Sequence, residues 1–257
     1  MSTVLVTGAA GRVAQMAMPG LVSAGYDLRL LDRIETPDPP EGAQVLVGDI
    51  TDRTFMAKAS DGADVVLHLA ASPGARATYE DLRAPNLDGV DVVMQAASDA
   101  KVRRVVLASS VHAAGAYVEM GNVPVDPAWP SWPCCTYGAS KAFAEALGRR
   151  YVYRSAKELT VACLRFGAVQ PQPWSVGIRT CWIGPSDLRQ LVTKSIDADV
   201  AFGVYHGISR NLSGHWDLAN DVGYEPTEDA EAFENLDPNP ATSMCLADHL
   251  ASAKQRA

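Results

Sequence analysis

The chain has 257 residues, 47% hydrophobic and 20% charged, with 22 basic against 30 acidic side chains and a formal net charge of −8. That length supports one sizeable core, or one domain with a small appendage. A pI near 5.1 and a mean hydropathy of −0.02 argue against nucleic acid as a partner, against disorder and against a membrane protein.

Taken in chain order, the start Met1-Ser2-Thr3-Val4-Leu5-Val6-Thr7-Gly8 runs into an apolar strand with no basic segment or cleavage site, so no secretory leader is expected. No apolar run reaches the ~18 residues of a bilayer crossing. Short apolar runs at Val4–Thr7, Leu28–Asp32, Gln44–Val47, Val65–Leu69, Val105–Ala108 and Thr160–Phe166 read as buried strands. Helical stretches lie between them, notably Arg12–Ala24, Leu87–Ala100 and Tyr137–Ala156. This alternation predicts a doubly wound α/β fold of Rossmann type, a parallel sheet with helices on both faces. After Phe166 come an irregular Pro/Trp/Gly segment, a helix near Ser186–Ile196, a strand at Val200–Tyr205, and a polar tail with Pro226, Pro238 and Pro240. The expected division is a dinucleotide-binding core over 1–166 and a substrate-side region over 167–257 too small to fold alone. Pro37–Pro40 and Pro124–Pro133 read as surface loops.

The turn Thr7-Gly8-Ala9-Ala10-Gly11-Arg12-Val13-Ala14 joins the first strand to the first helix. Glycines there let the backbone approach a pyrophosphate, whose charge sits on the free N–H groups of the helix N-terminus; an ordinary tight turn is the plain alternative. Asp32 closes the second strand, where a carboxylate bonds the adenosine ribose hydroxyls and repels a 2′-phosphate. Arg33 beside it could attract that phosphate, and NAD is preferred over NADP. Asp49 of Gly48-Asp49-Ile50 could accept from an adenine amino group or cap the helix after it. His68-Leu69-Ala70-Ala71 ends the fourth strand with small residues that let a cofactor lie against the backbone.

Tyr137 and Lys141 stand four residues apart, on one face of a helix. A core tyrosine with a surface lysine has the same spacing. The chemical reading is a phenol whose pKa, normally about 10, is drawn toward 7 by Lys141 and a nicotinamide, which requires about 4 kcal/mol. Such a tyrosinate takes a hydroxyl proton as hydride leaves carbon. Ser109 and Ser110 end the fifth strand at the ligand edge of the sheet, where one can orient a substrate oxygen; as turn residues they would only cap the backbone. The five cysteines, Cys134, Cys135, Cys163, Cys181 and Cys245, are odd in number without CxxC spacing. They read as reduced thiols of a cytoplasmic protein with no metal site, and the Cys134-Cys135 pair as structural for want of a base partner.

TGAAGRVA at 7–14, Asp32, GDI at 48–50, HLAA at 68–71, Asn86-Leu87-Asp88-Gly89, LASS at 107–110 and YGASK at 137–141 occur in one order. In that order, over roughly residues 3–170, the chain resembles the extended short-chain dehydrogenases/reductases, the NAD-dependent epimerase/dehydratase family. The resemblance implies a triad of Ser110, Tyr137 and Lys141. It implies an NAD site of Gly8, Gly11, Arg12, Val13, Asp32, Asp49, Ile50, Leu69, Ala70, Ala71, Tyr137, Lys141 and Phe166. Ala14 stands where the third glycine of the turn is usual, and its small side chain serves the same helix–strand packing.

Within the family, ASSVHAAGAY at 108–117, TYGASKAFAE at 136–145, LRFGAVQPQP at 164–173, Trp182 and HWDLANDVGYEPTEDAEAF at 215–233 resemble uronate dehydrogenases. Those enzymes oxidise C1 of galacturonate or glucuronate to a lactone with NAD. Ser110 and His112 match that group's serine–asparagine–histidine run, whereas Val111 replaces its asparagine. Ala168 replaces a serine, and Gly177 stands where an arginine grips the carboxylate. The same chemistry on a different sugar is therefore expected, with substrate contacts at Ser72, Ser110, His112, Tyr137 and Arg179. Arg179, two positions beyond Gly177, would serve an anionic group of a uronate or a C6-sulfonated hexose, or else face solvent. His112 is a substrate contact or a structural imidazole; Trp174 and Trp182 are a sugar platform or loop anchors. The alternatives are an epimerase that retains NAD and a non-catalytic dinucleotide-binding protein. A homo-oligomer built on helices 87–100 and 137–156 is expected.

Overall fold

The apolar runs fold as strands and the stretches between them as crossover helices. The computed structural model describes residues 2–156, 158–212 and 214–238, so Pro240 and Cys245 lie outside the described residues. The first half of the chain runs β1 (Thr3–Thr7), α1 (Arg12–Ser23), β2 (Asp27–Asp32), β3 (Gln44–Val47), α2 (Arg53–Ser60) and β4 (Val65–His68). It continues through α3 (Tyr79–Leu82), a π-helical turn (Arg83–Asp88), α4 (Gly89–Asp99) and β5 (Arg104–Ser110). A 3-10 turn (Val111–Ala114), α5 (Gly115–Glu119), α6 (Thr136–Arg154) and β6 (Thr160–Phe166) follow. Beyond lie β7 (Ala168–Val169), β8 (Trp182–Ile183), α7 (Pro185–Asp197) and β9 (Phe202–Gly207).

Seven strands pair in the order β3-β2-β1-β4-β5-β6-β9, every pair parallel. This is the expected Rossmann-type sheet, and the strand order reverses between β1 and β4. A crevice opens at such a reversal, beyond the carboxyl ends of the strands. Because side chains alternate across a strand, Val4, Val6, Leu30 and Leu67 pack against α1 and α7 on one face. Leu5, Leu31, Val66 and Val105 pack against α2, α4 and α6 on the other. Burial on both faces is why these strands read as continuous apolar runs.

The chain beyond Phe166 does two things. It returns to the main sheet through α7 and β9, and it builds a third cluster around Val111, Ile178, Trp182, Ile208 and Trp216 over the end of β5. The short β7–β8 pair lies in that layer. The expected helix over 87–100 runs as α4 from Gly89, and its first two residues belong to the π turn that leads into it. Pro85 has no N–H to give, and the Gly89 N–H donates five residues back to Ala84 O, which produces the π turn. Among the described residues no helix is long and apolar enough to cross a membrane.

Two buried histidines make the fold sensitive to acid. Burial lowers His68 to about 3, with the nearby Lys141 adding to the effect, and burial lowers His206 to about 4. In the unfolded chain each titrates near 6.5, so below that pH the unfolded state binds more protons and stability falls as pH falls. Each contributes a loss of about 1.4 kcal/mol per pH unit below 6.5 until its folded pKa is reached. Denaturation midpoints should drop between pH 6.5 and pH 5, before most carboxylates protonate. A flat stability over that window would contradict this assignment.

Candidate active site

The crevice between β1 and β4 is shaped for a dinucleotide. Gly8 has φ of +74°, and a Cβ there would fall 2.6 Å from the Ala70 nitrogen, so no side chain fits between the turn and β4's end. The Gly11 N–H donates to Gly8 O, closing the turn. Gly11 then caps α1 with no side-chain acceptor and no acid in the first turn, so the positive end of the helix faces the crevice.

One lobe of the cleft, about 400 Å³, is lined by Gly8, Gly11, Asp32, Arg33, Asp49, Ile50, Leu69, Ala70, Ala71 and Ser72. Asp32 Oδ2 accepts from the Ala10 N–H at 3.0 Å and Oδ1 from the Arg33 N–H at 2.7 Å, which fixes the carboxylate at the rim. Asp49 is not a helix cap. Its Oδ1 accepts from the Thr51 N–H and hydroxyl, bonds that hold its carboxyl below the usual range, and Asp52 caps α2 instead.

The adjoining lobe, about 480 Å³, carries the reactive side chains: Ser110 and His112 after β5, Tyr137 and Lys141 on α6, and Phe166 ending β6. Arg12 and Val13, in the first turn of α1, line it as well. Ser110 shares this lobe with Tyr137, and its hydroxyl acts to lower the pKa of the phenol. Ser109 is spoken for, because its hydroxyl donates to Glu145 Oε1 in the core at 2.5 Å. Lys141 Nζ donates to Ala108 O at 2.9 Å and lies 5.6 Å from the centre of the Tyr137 ring. The four-residue spacing on α6 thus brings phenol and ammonium together beside the strand-end serine.

The electrostatics differ from the sequence expectation. Burial pushes the Tyr137 phenol up to about 12; the Ser110 hydrogen bond opposes this and Cys135 adds to it. Burial also draws Lys141 down to about 8, against the pull of Glu145. The protein's own groups therefore hold a neutral phenol, and a desolvated lysine alone does not bring it near 7.

Two further expectations change, and one open alternative is decided. Arg179 does not line the cleft: its Nη1 pairs with Glu231 Oε2 at 2.7 Å and its Nη2 donates to Phe233 O. Trp182 is fully buried, with Nε1 donating to Gln170 O, so it anchors the third cluster rather than stacking on a sugar. Trp174 is 47% exposed and lines the cleft. The cysteine pair does have a base beside it, since His112 Nδ1 lies 3.3 Å from Cys134 Sγ.

Asn86 had been visible only as part of a motif. The π turn places it, buried, between two site elements. Its Oδ1 accepts from the Ser72 N–H at 2.8 Å, and its Nδ2 donates to Ser72 O and to Ser140 Oγ at 3.1 Å each. Asn86 therefore ties the loop after β4, including Ser72, to the face of α6 that carries Tyr137.

The sequence matches the NAD dependent epimerase/dehydratase family over residues 4–169. It is 34% identical to the NAD-dependent glucose-6-phosphate dehydrogenase of Haloferax volcanii, over 90% of this chain and 95% of that one. It is 31% identical to a uronate dehydrogenase of Pseudomonas syringae pv. tomato, over 92% and 87% of the two chains. A mutant uronate dehydrogenase from Agrobacterium tumefaciens, solved in complex with NAD, superposes with a TM-score of 0.81 at 26% identity, covering 93% and 92%. By sequence and by fold the chain belongs to the NAD-dependent epimerase/dehydratase family, as an NAD-dependent enzyme of the sugar-dehydrogenase type.

Proposed function

We propose that the chain oxidises C1 of a free sugar to the lactone. The observation that carries the reading is the convergence of Ser110, Tyr137 and Lys141 on one lobe of the cleft, at the carboxyl edge of β5 and next to a dinucleotide crevice. NAD, when bound, supplies the hydride acceptor. Gly8, Gly11, Arg12 and Val13 would hold its pyrophosphate, Asp32 a ribose, Asp49 and Ile50 the adenine, and Leu69, Ala70, Ala71 and Phe166 the path between. Ser110 orients the C1 hydroxyl, and Tyr137 receives its proton. Lys141 fixes a positive charge by the phenol, which favours the proton-accepting form. Ser72, on the loop held by Asn86, and His112 contact sugar hydroxyls. That residues beyond 166 do not fold apart from the dinucleotide core is part of this proposal, supported by the pairing of β9 with β6, which also carries the core past the expected boundary at 166 into α7 and β9.

The engagement of Arg179 removes the main support for an acidic group at C6. Among the described residues lining the reactive lobe the cations are Arg12 and Lys141. Arg12 belongs to the pyrophosphate end and Lys141 to the phenol. Serine, imidazole, amide and indole groups remain for the sugar, a set suited to neutral hydroxyls. The expected ranking therefore puts neutral aldoses above uronates and C6-sulfonated hexoses. NADH absorbance across these three classes tests it. No turnover of any sugar by protein shown to bind NAD would overturn the proposal. NAD retained through purification, with no net reduction by substrate, would identify an epimerase instead.

Cofactor choice provides an independent check. Asp32→Asn keeps an acceptor for the Ala10 N–H but removes the charge that repels a 2′-phosphate, leaving Arg33 to attract it. The ratio of kcat/KM for NADP to that for NAD should rise about tenfold or more, because like-charge contacts cost kcal/mol amounts. An unchanged ratio would remove Asp32 from the ribose site.

A further inference from the structure

Two cysteines at the start of α6 share one imidazole at the edge of the cleft. His112 Nδ1 lies 3.3 Å from Cys134 Sγ and 3.7 Å from Cys135 Sγ, and the three donor atoms all fall within 4.8 Å of one another. Tetrahedral zinc, bound at about 2.3 Å from sulfur and about 2.0 Å from nitrogen, sets its sulfur and nitrogen donors about 3.5 Å apart and two sulfurs about 3.8 Å apart. The two observed nitrogen–sulfur separations bracket the first of these values.

The backbone around the donors is fixed independently. The Cys134 N–H donates to His112 O at 3.2 Å, and the His112 N–H donates to Ser110 Oγ at 3.3 Å. The Gly138 N–H donates to Cys135 Sγ at 3.4 Å, the kind of outer contact that steadies a ligating thiolate. Glycine at 138 makes this convergence sterically possible, since a Cβ there would lie 2.2 Å from His112 O.

We propose that His112, Cys134 and Cys135 form a binding site for one thiophilic divalent cation of the zinc class, and that filling it inhibits the enzyme by pinning His112. Binding exchanges two S–H bonds for two metal–sulfur bonds and releases two protons to water; no oxidant or reductant takes part. Three protein donors leave one tetrahedral position for water or a substrate oxygen. The His112 ring lines the cleft and meets Tyr137 edge-on at 5.8 Å, so an imidazole held by a metal cannot adjust to a sugar. The inhibitory consequence rests on the dehydrogenase reading; the binding does not.

The test uses the full chain kept reduced by a thiol-free phosphine, with Co(II) as the spectroscopic probe and Zn(II) as competitor. The expected result is one ion per chain, a sulfur-to-cobalt charge-transfer band, about two protons released per ion, and Zn(II) inhibition reversed by a chelator. Cys134→Ser and Cys135→Ser should each weaken binding at least tenfold, the scale on which even an outer-shell change acts. NAD binding and melting temperature of the variants separate loss of a ligand from loss of the fold. For the wild type, a cobalt spectrum without the sulfur band, or without proton release, overturns the proposal. Unchanged affinity in both folded serine variants does the same. Because binding is read without turnover, its failure leaves the C1-oxidation reading standing.

Discussion

Tyr137→Phe should lower kcat by about 10²–10⁴-fold, the range over which a positioned acid–base group acts, while the dissociation constant for NAD stays within a few-fold of wild type. The change removes one oxygen and keeps the ring, so the edge-on packing against His112 and the position of Lys141 have no reason to move. What is lost is the proton acceptor beside Ser110, equivalent to about 3–5 kcal/mol of transition-state stabilisation. The pH profile carries a second signature. With the phenol held up at about 12, the fraction of phenolate rises with pH through the neutral range, and so should the oxidation rate. Lys141 loses its charge near 8, and above that pH the lost ammonium cancels the gain in phenolate. The expected wild-type profile rises to about pH 8 and then levels. A folded Tyr137→Phe protein within tenfold of wild type would remove the phenol from the proton path.

The parallel sheet was legible because strands buried on both faces cannot alternate; Val4, Leu5 and Val6 each meet a packed layer and each reads apolar. The glycine turn was legible because its spacing answers to backbone geometry, as the Gly8–Ala70 approach makes plain. The Tyr137–Lys141 pair was legible because four residues is one turn of helix. Asn86 was not, since its role depends on the Pro85 break, which turns a helix-like run into a π turn and alters where the side chain lands. The placement of Arg179 was not legible either, because nothing local distinguishes an arginine that meets a substrate from one whose partners, Glu231 and Phe233, lie more than fifty residues away. The His112–Cys134 contact was hidden for the same reason: it crosses between two loops that meet only when α6 docks against the end of β5.

Glu145→Ala should destabilise the fold by about 3–5 kcal/mol, the cost of leaving a buried charge without its partner, which at this size corresponds to a fall of roughly 6–20 °C in Tm. Arg165 is 1% exposed and places Nε 2.8 Å from Glu145 Oε1 and Nη2 2.9 Å from Oε2. Ser109 and Ser131 add hydroxyl donors to the same carboxylate. Burial pushes the Glu145 carboxyl up, but the hydrogen bonds and charge of Arg165, together with the two serines, outweigh it and hold the group below its ordinary range. Removing the carboxylate strands a guanidinium in the core, whereas replacing both partners with apolar residues of similar volume should recover most of the loss, because a buried pair roughly repays its own desolvation. A Glu145→Ala protein within 1 kcal/mol of wild type would show that the pair is not shielded as drawn. The substitution also reaches the site. Glu145 lies one helical turn beyond Lys141 and raises its pKa, so without that carboxylate Lys141 should titrate below about 8. The plateau in the oxidation profile should then begin at lower pH. The pair that stabilises the interior is thus also the one that keeps a desolvated lysine charged beside the phenol.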